Sequence, residues 1–139
     1  MREIRRILFI RTDRIGDCLM NLPAINVLRQ TFPKAWISWI ADESVAELLT
    51  DHPDIDECIS IQAAQFQKHF FYRWKILQQI KKADFDLVII SHPNKYWHRL
   101  SFLAGIPERV GYGRKWGFLL TRKIDDNKAS LDTHEIENN

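Results

Sequence analysis

Short apolar runs rich in β-branched and aromatic residues punctuate the chain at residues 7–10, 36–40, 58–61 and 87–90, with a weaker fifth run over 109–112. Runs this short, bounded by polar or turn-forming segments, read as strands buried on both faces. Between them the spacing turns helical. Phe66, Phe70, Trp74, Leu77 and Ile80 or Lys81 recur at steps of three and four, which predicts one amphipathic helix over 66–82 with these side chains packed on the sheet. Pro23 sits too deep for an uninterrupted helix from Gly16, so a short turn followed by a helix from about Pro23 to Phe32-Pro33 is expected. Strands alternating with helices make βαβ units, whose right-handed crossovers place helices on both faces of an open, mostly parallel α/β sheet. The chain contains no internal repeat and no low-complexity linker.

Composition narrows the class without changing it. The 139 residues are 45% hydrophobic and 27% charged, with ten Gly and Pro together, which excludes collagen-like, coiled-coil and wholly disordered chains. A net charge of +2 gives no sign of a nucleic-acid partner. Cys18 and Cys58 are too few and too far apart for a zinc knuckle or a disulfide framework, which points to a reducing cytoplasm. After Met1-Arg2-Glu3-Ile4-Arg5-Arg6 the apolar run before Arg11 is only four residues long, far short of a signal-peptide core or a membrane span.

Ligands of parallel α/β sheets bind outside the carboxyl ends of the strands, which directs attention to Arg11-Thr12-Asp13-Arg14-Ile15-Gly16-Asp17 after the first strand. One glycine does not make a Gly-x-Gly-x-x-Gly dinucleotide fingerprint. A tight turn is expected at Gly16, with Asp17 opening the next helix. Two readings of Asp17 stand side by side: a helix cap, and a general base that takes the proton of an attacking hydroxyl. Asp13 is the competing carboxylate, with Arg11 and Arg14 placed to bind an anion or to pair with either acid. After the fourth strand, Ser91-His92-Pro93-Asn94-Lys95 should reach the same crevice, where Asn94 suits sugar hydroxyls and Lys95 an acidic group. His92 and His98 lack companion donors at ligand spacing, so no metal is expected. A Gly-x-Ser-x-Gly nucleophile elbow is also absent.

These pieces, taken in order, resemble a known family. Ile7-Leu8-Phe9-Ile10-Arg11, Ile15-Gly16-Asp17, Leu22-Pro23-Ala24, Leu28-Arg29 and Phe32-Pro33 look like the amino-terminal signature of the lipopolysaccharide heptosyltransferases, glycosyltransferase family 9. His52-Pro53-Asp54-Ile55-Asp56, Phe85-Asp86-Leu87-Val88-Ile89, Leu103 to Tyr112 and His134-Glu135 continue the likeness over nearly the whole chain. The resemblance implies the amino-terminal, acceptor-side half of an inverting, metal-free GT-B enzyme made of two Rossmann-like domains across a cleft. It maps the proposed catalytic base onto Asp17. It also implies that the donor, ADP-heptose, is held mainly by a second domain, with no resident cofactor. On this basis residues 1–124 are expected to form the acceptor domain, and 125–139, with five acids and one Lys, an acidic tail or the start of a connection to a donor domain.

Charge is segregated along the sequence. Seven bases face Glu108 alone between Lys95 and Lys123, whereas Asp42 to Glu57 holds seven acids and no Lys or Arg. An anionic saccharide or lipopolysaccharide acceptor fits the basic segment, with Arg114 added to Arg11, Asp13, Arg14, Gly16, Asn94 and Lys95 as acceptor contacts; a solvated charged face is the alternative. Lys68, Arg73, Lys75, Lys81 and Lys82 among the aromatics of the 66–82 helix also suit peripheral contact with the cytoplasmic face of an anionic membrane, against the plainer reading of core packing. Two further classes stay open: a non-catalytic saccharide-binding remnant or half of a split enzyme, and an unrelated nucleotide-binding regulatory domain, which the missing Gly-rich loop argues against.

Overall fold

β1 (Arg6–Ile10) sends alternate side chains to opposite faces, and both faces are covered. Leu8 and Ile10 join one apolar cluster, Ile7 and Phe9 the other, and all four are essentially inaccessible to solvent. The computed structural model describes residues 3–13, 15–92, 94–112 and 122–124. From β1 the chain runs through α1 (Ile15–Leu19), α2 (Leu22–Thr31), β2 (Trp36–Asp42), α3 (Glu43–Leu49) and β3 (Glu57–Ile61). It continues through α4 (Ala63–Lys68), α5 (Phe70–Ala83), β4 (Leu87–Ile90), α6 (Lys95–Leu103), β5 (Glu108–Tyr112) and β6 (Arg122–Ile124). The strands form one parallel sheet in the order β3-β2-β1-β4-β5-β6. The five expected strands are present within a residue or two at each end, and β6 is an addition the apolar pattern did not reveal.

The direction of travel decides which face each helix covers. Stepping from β1 through β2 to β3, right-handed crossovers put α1, α2 and α3 on one face, where Cys18, Ile25, Val45, Ala46 and Leu49 pack on Ile7, Phe9, Ile37 and Trp39. Stepping back across β4 and β5 puts α4, α5 and α6 on the other face, where Phe66, Ile76, Ile80, Trp97 and Leu100 pack on Leu8, Ile10, Val88 and Ile90. Each core holds an aromatic pair: Phe9 against Trp39 at 4.7 Å between ring centroids, and Phe66 stacked on Trp97 at 4.0 Å. Such pairs add about 0.5–1.5 kcal/mol beyond the area they bury.

Two local expectations need correction. The continuous helix over 66–82 is broken at His69, whose extended backbone (φ −117°, ψ 116°) separates α4 from α5. Arg73 stabilises the break, its Nη1 donating to the Phe66 and Gln67 carbonyls at 2.7 and 3.1 Å, so that the end of α4 is satisfied from the first turns of α5. The restart rotates the face: Ile76 and Ile80 are buried, while Phe70 and Trp74 point outward. The tight turn expected at Gly16 is also absent, because Gly16 lies within α1 and Gly105 is the positive-φ glycine among the described residues. The chain bends at Asp13, ahead of α1, and α2 starts at Leu22 with Pro23 in its first turn.

Candidate active-site crevice

The strand order reverses between β1 and β4, since β1 leads to β2 on one side and β4 to β5 on the other. Their last residues, Ile10 and Ile90, are in register, so the two following loops leave the sheet side by side and open the crevice at a switch point. Arg11 joins them. Its Nη1 donates to the Ser91 carbonyl at 2.8 Å and to Ser91 Oγ at 3.3 Å, while Nε and Nη2 hold both oxygens of Asp13 at 2.8 Å in a fork. The Arg11 side chain is 17% exposed, so its guanidinium serves mainly as a brace between loops.

This geometry separates the two carboxylates that the sequence leaves equivalent. Asp13 has both oxygens engaged by Arg11. Asp17, on the first turn of α1, is 47% exposed and comes only within 4.0 Å of Arg11 Nη2 among the described residues. Its backbone carbonyl accepts from Asn21 Nδ2 at 2.7 Å, which ties the end of α1 to the start of α2. Asp17 therefore presents a carboxylate to incoming groups, on a short helix fixed from below by the buried Cys18, whose Sγ lies 3.7 and 3.6 Å from the Arg11 and Asp13 carbonyls. Burial, chiefly, pushes the Cys18 thiol up to about 11, so it is a packing group and not a nucleophile.

On the β4 side, Asn94 is the N-cap of α6, its Oδ1 accepting from Tyr96 N at 2.9 Å and Trp97 N at 3.3 Å. The sugar contact read from its amide is thus shared with a structural duty on the acceptor oxygen. Lys95 is exposed beside it, with Nζ 5.4 Å from the Tyr96 ring centroid. Gly16 is exposed, and a Cβ there would meet nothing within 4 Å, leaving open space above α1. Arg14 and Arg114 lie outside the described residues, as does the segment 125–139.

His92 is the group whose surroundings sequence reasoning missed. Burial, opposed by Asp13 and Asp17 and reinforced by Arg11 and His98, drives its imidazole down to about 4, and Nδ1 has no hydrogen-bond partner among the described residues. It is neutral at pH 7 and close enough to Asp13 and Asp17 to feel the charge of both carboxylates. No three His, Cys, Asp or Glu side chains converge as a metal set among the described residues. A cavity of about 570 Å³ lined by Glu3, Ile4, Phe32, Lys34, Leu87 and Glu108 opens at the amino ends of β4 and β5, opposite the crevice.

Comparison with known proteins adds what geometry alone does not carry. The chain matches no family model. It is 28% identical over 137 residues to a Haemophilus influenzae protein named as a candidate glycosyltransferase, covering 98% of this chain and 39% of that protein. It is 27% identical over 118 residues to lipopolysaccharide heptosyltransferase 1 of Escherichia coli, covering 81% of this chain and 35% of the enzyme. The crystal structure of a glycosyltransferase family 9 protein from Veillonella parvula shares its fold, with a TM-score of 0.77 at 23% identity over 90% of this chain and 37% of that one. The sequence relatives of this chain are thus a glycosyltransferase and lipopolysaccharide heptosyltransferases, its fold is shared with a glycosyltransferase family 9 structure, and it spans less than two-fifths of the length of these proteins.

Proposed function

We propose that this chain is the acceptor-binding, amino-terminal part of an inverting glycosyltransferase that moves heptose from ADP-heptose to the inner core of lipopolysaccharide. The observation that carries this reading is the contrast at the switch point: Asp13 is held by Arg11 in a two-bond fork, while Asp17 projects half-exposed from the adjoining helix. Homology to glycosyltransferases supports the reaction class.

In this scheme Asp17 accepts the proton of the acceptor hydroxyl as its oxygen attacks the anomeric carbon of the donor. The carbon–oxygen bond to the nucleoside diphosphate breaks as the new glycosidic bond forms, and configuration inverts. Arg11 is a positioning residue, since it holds the β1 and β4 loops and keeps Asp13 away from the substrate. Lys95 and Asn94, with Arg14 and Arg114, would meet the carboxylates and phosphates of the acceptor. The open space over Gly16 would let a sugar ring approach the backbone. The nucleotide sugar is the second substrate, held mainly by a further domain, and no resident cofactor or metal takes part.

Two measurements test the proposal. Calorimetric titration of this chain with a heptose-free inner-core acceptor should show binding that ADP-heptose alone does not; the reverse preference would sink the acceptor assignment. In the longest form encoded by the gene, Asp17→Asn should lower kcat by a factor on the order of 10²–10⁴ with acceptor binding retained, as expected for loss of a general base. Unchanged turnover would remove Asp17 from that role, and acceptor binding without any turnover in the parent would make the chain a saccharide-binding domain.

A further inference from the structure

The break at His69 has turned part of an apolar face away from the core. Phe70, Phe71 and Trp74 on α5 are 61%, 81% and 52% exposed, and Phe102 and Leu103 at the end of α6 are 49% and 52% exposed. Phe70 and Phe71 pack edge to face at 5.7 Å, so the two rings stand out together. Between α5 and α6 lies a groove of about 240 Å³ whose walls include Trp74, Leu77, Tyr96 and Leu103. Exposed aromatics this close together exceed the scattered apolar residues of an ordinary surface.

The charge around them is of one sign. α4 and α5 carry Lys68, Arg73, Lys75, Lys81 and Lys82, α6 carries Lys95 and Arg99, and none of the three helices contains an acid. Lys75 follows Phe71 by one helical turn, and Lys82 continues the same stripe two turns on, so bases stand alongside the rings. Arg73 lies 4.3 Å over the Tyr96 ring and braces α5 against α6, which makes the two helices one platform. Membrane-interface helices combine these properties: Phe, Trp and Leu for the acyl boundary, Lys and Arg for anionic headgroups.

We propose that the α5–α6 platform docks on an anionic phospholipid bilayer, with Phe70, Phe71 and Trp74 entering the headgroup region and Lys68, Lys75 and Lys82 pairing with lipid phosphates. None of the described helices is long and apolar enough to cross a membrane, and the platform supplies surface contact in place of a span. A second copy of the chain fits this face poorly, because apposed platforms would set like charges against each other. The same docking would hold the mouth of the crevice near the bilayer, since α6 begins at the crevice with Lys95 and runs into the platform. The inference rests on the exposed face and its charge, and stands apart from the transferase reading.

The test uses vesicles without acceptor or donor, so that its outcome is independent of the transferase assignment. In co-sedimentation, this chain should bind phosphatidylcholine vesicles containing phosphatidylglycerol, bind pure phosphatidylcholine far more weakly, and release in high salt. The pair Phe71→Ser and Trp74→Ser, and separately the pair Lys75→Glu and Lys82→Glu, should each weaken binding on the order of ten-fold or more. Circular dichroism should remain unchanged, because all four residues are exposed. Lack of binding to anionic vesicles, equal binding by the variants, or equal binding to both lipid compositions would overturn the proposal. A concentration-dependent dimer abolished by the aromatic pair would overturn it in favour of self-association.

Discussion

A neutral, partly buried imidazole within the field of two carboxylates makes His92 a source of acid sensitivity. Its value in the folded chain, about 4, lies below the 6.5 of the free side chain, so between those limits the unfolded state binds more protons. The contribution to stability is complete above pH 6.5 and is lost as the pH falls toward 4. His92→Gln should therefore flatten the loss of unfolding free energy between pH 7 and pH 4.5, by on the order of 2–3 kcal/mol, in parallel urea titrations. An unaltered slope would place the sensitivity elsewhere. Nothing in Ser91-His92-Pro93 announces this burial, which follows from tertiary packing.

Other residues were legible in kind but not in role. Arg29 and Asp56, both inside segments that carry the family likeness, form a clamp: Arg29 donates to Asp56 Oδ2 at 2.6 Å and to the Ala35 and Asp54 carbonyls at 2.7 and 3.1 Å, while the same Asp56 oxygen accepts from Ile37 N at 2.8 Å. Asp86 likewise accepts from Arg5 N and Arg6 N at 2.8 and 3.0 Å and sets the start of β1 against β4. These motif positions hold loops to strands. The choice between Asp13 and Asp17, by contrast, needed the Arg11 fork, because both acids share the same local sequence signals.

At the scale of elements, four of the seven acids between Asp42 and Glu57, namely Asp42, Asp54, Asp56 and Glu57, accept hydrogen bonds from backbone or side-chain donors. Asp42 caps α3 through Ser44 N at 3.0 Å and also accepts from Ala63 N at 2.9 Å, so one carboxylate fixes the starts of α3 and α4. Burial pushes its pKa up, but hydrogen bonds from the Ser44 hydroxyl and from the Ala63 and Ser44 amides outweigh it and hold the group below its ordinary value. Asp42→Ala should cost about 1–2 kcal/mol in chemical denaturation at pH 7. The cost should shrink once the pH falls through the depressed pKa, because protonation removes the same interaction from the parent. A variant as stable as the parent at pH 7 would show the double cap to be idle. Strand positions were readable here because each buried run is short and continuous. The α4–α5 break was not, since it depends on Arg73 reaching back to carbonyls six and seven residues earlier, with neither Gly nor Pro to mark it.

For the whole molecule, the parallel α/β architecture was readable from strand and helix alternation, while the strand order came from the folded chain. That order has a consequence for synthesis. β1 lies between β2 and β4, and its amino end is tied to Asp86 across 81 residues of sequence. A ribosome delivering the chain from its amino end releases β1, β2 and β3 early, but the other edge of β1 waits for β4. During that interval Ile7 to Ile10, nearly inaccessible in the finished fold, offers an open strand edge to any neighbouring nascent chain. Chains stopped after Ala83 should therefore pellet when released in translation extracts without chaperones, and chains extended through Tyr112 should stay in the supernatant. Equal solubility of the two would mean that β3-β2-β1 protects its own edge. The central place of the first strand, which opens the crevice at one end, thus makes the nascent protein dependent on a rapid tail or a guarding chaperone.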